Sequence, residues 1–223
     1  MAFGASTPMG EKDEGEAVGG DHRVTGYIYI AGSFLNVNRS RCGPGGEWID
    51  NDPHFWTDPP TWGICRPDLR EKVIEGDVVF FVLPLASRHP QMIFAYLTVR
   101  ENITHVEAFS RPELQSKRMG PHVPNGNIIV DEKGCYNRYD LGAHRDNFER
   151  IRKHYVIGDS YSSRLFGDRQ IRALAPTFIE TLSSILEETG ARAIDIVSRY
   201  GRTLSPEQVV KLTDWLNQIG DRR

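Results

Sequence analysis

The chain has 223 residues, 39% of them hydrophobic, and 27 Lys and Arg against 30 Asp and Glu give a formal net charge of −3. That is enough chain to bury a core in one or two small domains, and the balance excludes a fibrous or largely disordered protein. No overall basic field marks the chain as a nucleic-acid binder, so any such contact must come from a local patch.

The longest apolar run, around Val78–Leu83, is too short to cross a bilayer. The first residues carry no basic segment followed by an apolar one, so the expectation is a cytoplasmic protein without a membrane partner. Cys42, Cys65 and Cys135 form an odd, scattered set without a C-x-x-C pair. This argues against a disulfide framework and a structural zinc, and neither metal nor cofactor is expected.

In chain order, residues 1–22 read as a disordered acidic tail, with Glu11, Asp13, Glu14, Glu16 and Asp21 against Lys12. Val24–Ile30 is β-branched and aromatic, the composition of a strand. Residues 31–63 form a long irregular stretch punctuated by Gly43-Pro44-Gly45-Gly46 and Pro59-Pro60. It nonetheless holds Phe34, Trp48, Phe55, Trp56 and Trp62, and so much aromatic surface on one loop points to a function. A short helix is expected at Asp68–Val73, then strands at Val78–Leu83, Met92–Arg100, Asn127–Val130, His154–Ile157 and Ser163–Gly167, with a helix starting at Val106. Residues 23–174 therefore read as one domain of many short strands. After Ala175 the composition turns helical: Thr177–Glu188 carries an apolar stripe, Ala191–Tyr200 a second helix, and Ser205-Pro206-Glu207-Gln208 opens a third with a capping box. Residues 175–223 read as a C-terminal helical extension, a cap on the sheet or a surface for a protein partner, with Trp215 as a possible anchor.

Several signatures are missing. No G-x-x-x-x-G-K-[ST] cradles phosphate, no G-x-G-x-x-G follows a strand, and neither a G-x-S-x-G elbow nor H-E-x-x-H occurs. The informative segment runs from Asn51-Asp52-Pro53-His54-Phe55-Trp56 through Trp62 to Cys65-Arg66-Pro67-Asp68-Leu69-Arg70 and Gly76-Asp77. Its aromatic rings suit stacking on a flat ligand such as a flipped base, with Asn51 and Asp52 reading the base edge. The competing reading is that the tryptophans fill the core beside the sheet.

The order of an aromatic strand, a glycine-rich loop, N-x-P-x-F, C-x-P-x-[IL]-R and I-x-x-G-D-x-V resembles the nucleotide modification associated domain 2 (Nmad2) family. It is more distantly similar to the PUA-like superfamily of EVE, YTH and ASCH domains. Gly126-Asn127-Ile128-Ile129 and Leu165-Phe166-Gly167 extend the likeness, which covers roughly Thr25–Arg172. The family's aspartate-glycine before N-x-P-x-F is replaced here by Asp50-Asn51-Asp52. The resemblance implies an α+β fold, a PUA-like small mixed β-barrel with flanking helices. It also implies a bacterial or phage-linked protein whose pocket recognises a modified base or nucleotide.

Between Arg138 and Arg172 bases outnumber acids. Arg138, Arg145, Arg152 and Lys153 are candidate phosphate contacts, although i, i+4 pairs such as Asp146–Arg150 and Glu149–Lys153 would equally describe a solvated helix face. His144 with Asp146 or Asp159 is a candidate acid–base group. The leading expectation is a module that binds a modified base or nucleotide in nucleic acid. The alternatives are an enzyme acting on modified nucleotides through His144 or Asp159, and a protein-interaction module built on the C-terminal helices.

Overall fold

The computed structural model describes residues 24–31, 52–85, 90–123 and 125–218. The expected acidic tail, and Phe34, Trp48 and Asn51 of the expected pocket, lie outside these residues.

Seven strands form one mixed sheet: β1 (Gly26–Ile30), β2 (Thr61–Trp62), β3 (Val78–Val82), β4 (Ile93–Ile103), β5 (Tyr155–Gly158), β6 (Arg164–Leu165) and β7 (Arg202–Leu204). The hydrogen-bonded order is β2-β5-β4-β3-β1-β7, with β6 also on β4. β1 and β3 are parallel, Tyr29 standing opposite Phe81, and the remaining pairs are antiparallel. Every residue of β3 is buried, which is why Val78–Val82 is apolar without alternation. β4 is the spine. Its first half pairs with β3 and β6, and its second half, past an irregularity between Val99 and Glu101, pairs with β5. Such a bulge bends a strand and lets it serve two neighbours.

The path of strands has two ends, β2 and β7, so the sheet does not close into the expected barrel. The C-terminal segment also differs from a separate extension. Helix α4 (Asp168–Leu186) starts well before residue 175, because the period Ile171, Leu174, Phe178, Leu182, Leu186 runs straight through Pro176. Gln170 Oε1 caps the N–H of Gly167 at its start. After the short α5 (Ala193–Val197), β7 pairs with β1, an element the sequence reading missed. Helix α6 (Pro206–Asn217) has the expected capping box, with Ser205 accepting from the Gln208 N–H. Trp215 stacks on Phe178 at 6.1 Å, so its ring is spent inside the molecule. The sheet and these helices share one hydrophobic core.

A second, smaller core lies under the middle of the chain, around Ile64, Leu114, Ile128, Val130, Ile151 and Tyr155. Around it sit α1 (Pro67–Arg70), α2 (His105–Ser110) and α3 (Phe148–Ile151). Asn127–Val130, expected as a strand, makes only isolated bridges, from Ile128 to Arg118 and from Val130 to Tyr136. Among the described residues, no helix is long and apolar enough to cross a membrane.

Candidate functional site

The aromatic segment folds against the carboxyl ends of the parallel pair β1 and β3, where open sheets with parallel strands commonly hold ligands. Tyr29 and Phe81 sit one residue before those ends. Thr61 and Trp62 pair with Ile157 and Val156, and this edge pairing carries the Trp62 ring inward. It stacks on Tyr29 at 5.5 Å and meets Phe81 edge-on at 5.6 Å. Phe55 meets Phe81 edge-on at 6.1 Å and is half-buried, as is Trp56. Trp62 is therefore a core residue and not the open stacking wall expected of it. Its indole Nε1–H is fully buried and, among the described residues, has no acceptor.

Asp52 also differs from expectation. Its side chain is buried and organises the main chain. One carboxylate oxygen accepts the Gly63 N–H at 2.6 Å and Asn127 Nδ2 at 3.3 Å, and the other accepts the Cys65 N–H. Arg70 closes the same segment from its carbonyl side, donating to Ile64 O at 3.0 Å, Cys65 O at 3.1 Å and Ile151 O at 3.2 Å. His105 Nε2 lies 2.7 Å from Gly63 O. Asn127 Oδ1 in turn accepts Tyr155 Oη at 2.7 Å. The chain at Gly63-Ile64-Cys65 is thus clamped by buried polar groups, which must be paired to be tolerated there. Burial pushes the Asp52 carboxyl up, opposed by the Arg70 charge and the main-chain N–H groups. Burial, helped by the charge of Arg70, pushes His105 down to about 3. Arg70 itself is lowered by burial to about 10.

Lys117 is a second buried polar feature that the sequence reading missed. Its Nζ donates to Thr57 O at 2.6 Å and lies 3.1 Å from His54 Nδ1. Burial lowers Lys117 to about 7, and burial with the lysine charge lowers His54 to about 3. The peptide bonds Asp52–Pro53 and Asp58–Pro59 of this loop are cis. No local pattern around Lys117 marks it as buried, since Gln115-Ser116-Lys117-Arg118 reads as a surface turn.

The basic stretch divides. Arg145 lies 5.4 Å from the Tyr136 ring, Tyr136 meets Phe148 edge-on at 5.2 Å, and Arg152 lies 5.7 Å from Phe148. Arg138 sits 5.0 Å from Tyr139 and donates to its hydroxyl at 3.0 Å. Arg152 is engaged by Glu149 at 2.9 Å, in place of the expected Asp146–Arg150 and Glu149–Lys153 pairs. Among the described residues, Arg138, Arg145 and Lys153 make no ion pair, whereas Arg152 does.

The expected acid–base groups separate. Asp159 accepts the N–H groups of Tyr161 and Ser162 at 3.1 and 2.8 Å, the work of a turn residue at the surface. His144 pairs with neither Asp146 nor Asp159 but with Asp140, Nδ1 to Oδ1 at 2.9 Å. Asp140 also accepts the His144 N–H at 2.9 Å and the Tyr136 hydroxyl. Burial raises the Asp140 carboxyl, but these hydrogen bonds outweigh it and hold the group below its ordinary value. Among the described residues, no group of three His, Cys, Asp or Glu is placed to hold a metal ion. Set against known proteins, the chain matches no family model, no curated protein and no solved structure.

Proposed function

We propose that the chain is a binding module for a flat heteroaromatic ligand, a modified base or nucleotide carried in nucleic acid, held at the carboxyl ends of β1 and β3. The observation that carries this reading is the Trp62 indole N–H, buried among Tyr29 and Phe81 and without an acceptor among the described residues. A buried donor left unpaired costs about 1–3 kcal/mol, and a ring nitrogen or carbonyl oxygen of a bound base would remove that cost. Half-buried Phe55 and Trp56 supply stacking surface beside it. Arg138, Arg145 and Lys153 supply positive charge for the phosphates. The motif order that resembles the Nmad2 family, and the parallel pair inside a mixed sheet, support a PUA-like relationship.

The test is binding to labelled single- and double-stranded DNA and RNA, with and without modified bases, at two salt concentrations. Trp62→Phe keeps one aromatic ring in place and deletes the N–H together with the second ring of the indole, so its binding is compared with that of Trp62→Leu, which loses the N–H and the aromatic face together. Modification-dependent binding that weakens about tenfold in Trp62→Phe, with the melting temperature held, supports the reading. Binding that ignores the base and is unchanged in Trp62→Phe overturns it.

A further inference from the structure

A second constellation stands apart from the aromatic cluster, on the turn-rich stretch from Tyr136 to Phe148. The Asp140 carboxylate is buried, with 3% of its side chain exposed, while 31% of the His144 side chain remains open. An ionised carboxylate only accepts, so the hydrogen bond from His144 at 2.9 Å fixes the proton on Nδ1. Nε2 then carries a lone pair on an imidazole that cannot rotate away. The Tyr136 hydroxyl and the His144 main-chain N–H hold Asp140 in turn. A base oriented by a carboxylate that is itself oriented is the arrangement general-base catalysis requires. An exposed loop gains little stability from burying a carboxylate merely to staple a surface histidine.

The neighbours point to the substrate. Arg145 and Arg138 are backed by the Tyr136 and Tyr139 rings and have no carboxylate partner among the described residues. A planar guanidinium held against an aromatic ring and free of acids suits the oxygens of a phosphate. Among the described residues, no serine hydroxyl or cysteine thiol is hydrogen-bonded to His144, so the nucleophile argued for this dyad is water.

We propose that His144 is the general base of a hydrolytic site for phosphate esters, with Asp140 and Tyr136 as positioning residues and Arg145 and Arg138 as phosphate contacts. The proton of an attacking water passes to Nε2 as its oxygen bonds to phosphorus. The bond from phosphorus to the leaving oxygen breaks, and that oxygen departs with the electron pair. The imidazolium, supported by Asp140, then returns its proton to solvent. The two readings share Arg138 and Arg145, but base binding is tested at Trp62 and hydrolysis at His144, so either can fail alone.

The test uses the full chain with bis(p-nitrophenyl) phosphate and p-nitrophenyl phosphate, whose leaving group departs without a proton. We expect nitrophenolate release well above the buffer rate. His144→Ala lowers kcat by at least a hundredfold with circular dichroism and melting unchanged. Asp140→Asn lowers kcat, whereas Arg145→Ala chiefly raises KM. A second measurement needs no substrate: diethyl pyrocarbonate modifies His144 Nε2, read by mass spectrometry, and more slowly in Asp140→Asn. Release no faster than in buffer, equal rates in wild type and His144→Ala, or a His144 that the reagent does not reach overturns the proposal.

Discussion

The clamp around Gly63-Ile64-Cys65 and the dyad at Asp140 and His144 are built from the same materials and come out opposite. Each centres on a buried aspartate that accepts main-chain N–H groups and faces a histidine or an arginine. In the clamp the polar valences end on the protein itself: Asp52 on N–H groups, Arg70 on three carbonyls and His105 on Gly63 O and the Ile129 N–H. Nothing is left for a ligand, and the cluster serves to hold a loop in shape. In the dyad one valence, Nε2 of His144, stays open. The difference teaches that burial and perturbed ionisation alone do not mark a functional group. What separates the two is whether a valence remains unspent.

Breaking the clamp should cost stability first. Asp52→Ala strands the Gly63 and Cys65 N–H groups and leaves the Arg70 charge uncompensated. We expect a loss of about 3–5 kcal/mol in urea unfolding, against a smaller loss for Asp52→Asn, which keeps an acceptor. Gly63→Ala follows at about 3 kcal/mol, because an added Cβ meets the Tyr155 ring at 2.5 Å and Asn127 O at 2.7 Å. A mild effect in both would show that the loop is held by something else.

Acid sharpens the contrast. His54 and His105 are pushed down to about 3 in the folded chain, while the unfolded chain protonates them near pH 6.5. Below pH 6.5 the unfolded state binds protons that the folded state refuses, so stability falls with pH until about pH 3. Each histidine contributes about 1.4 kcal/mol per pH unit over that window. Urea midpoints at pH 7.5, 6 and 5 measure the slope, and His105→Gln should reduce it by its own share. The smallest effect belongs to the open region: His144→Ala should cost about 1 kcal/mol, because the buried Asp140 keeps its bonds from the residue 144 main-chain N–H and the Tyr136 hydroxyl. A large loss there would make the dyad a second clamp.

Much of the scaffold was legible in the sequence because continuous or periodic apolar stretches are local signals. β1, β3, β4 and α6 fall where Val24–Ile30, Val78–Leu83, Met92–Arg100 and the Ser205 capping box placed them. Two failures share a cause. β7 is three residues long and owes its existence to pairing with β1, and Asn127–Val130 is buried without finding a ladder; neither property is written in its own neighbourhood. Site residues were harder still. The His144 partner is Asp140, one turn back, and not the adjacent Asp146, and spacing alone could not choose between them. Asp52 and Trp62 were picked out as chemically loaded residues. The fold spends Asp52 on two main-chain N–H groups and the Asn127 amide and, among the described residues, leaves the Trp62 N–H without an acceptor.

The pairing of β7 with β1 also sets an order of events during synthesis. β1 leaves the ribosome well before its partner strand, because Ile28 pairs with Arg202 far later in the chain. Until then the outer edge of β1 displays unpaired N–H and C=O groups, and the apolar face that α4 and α6 will cover is bare. A nascent chain in that condition is open to strand exchange with its neighbours on a polysome. The sheet is therefore complete only once β7 has been made and has found β1.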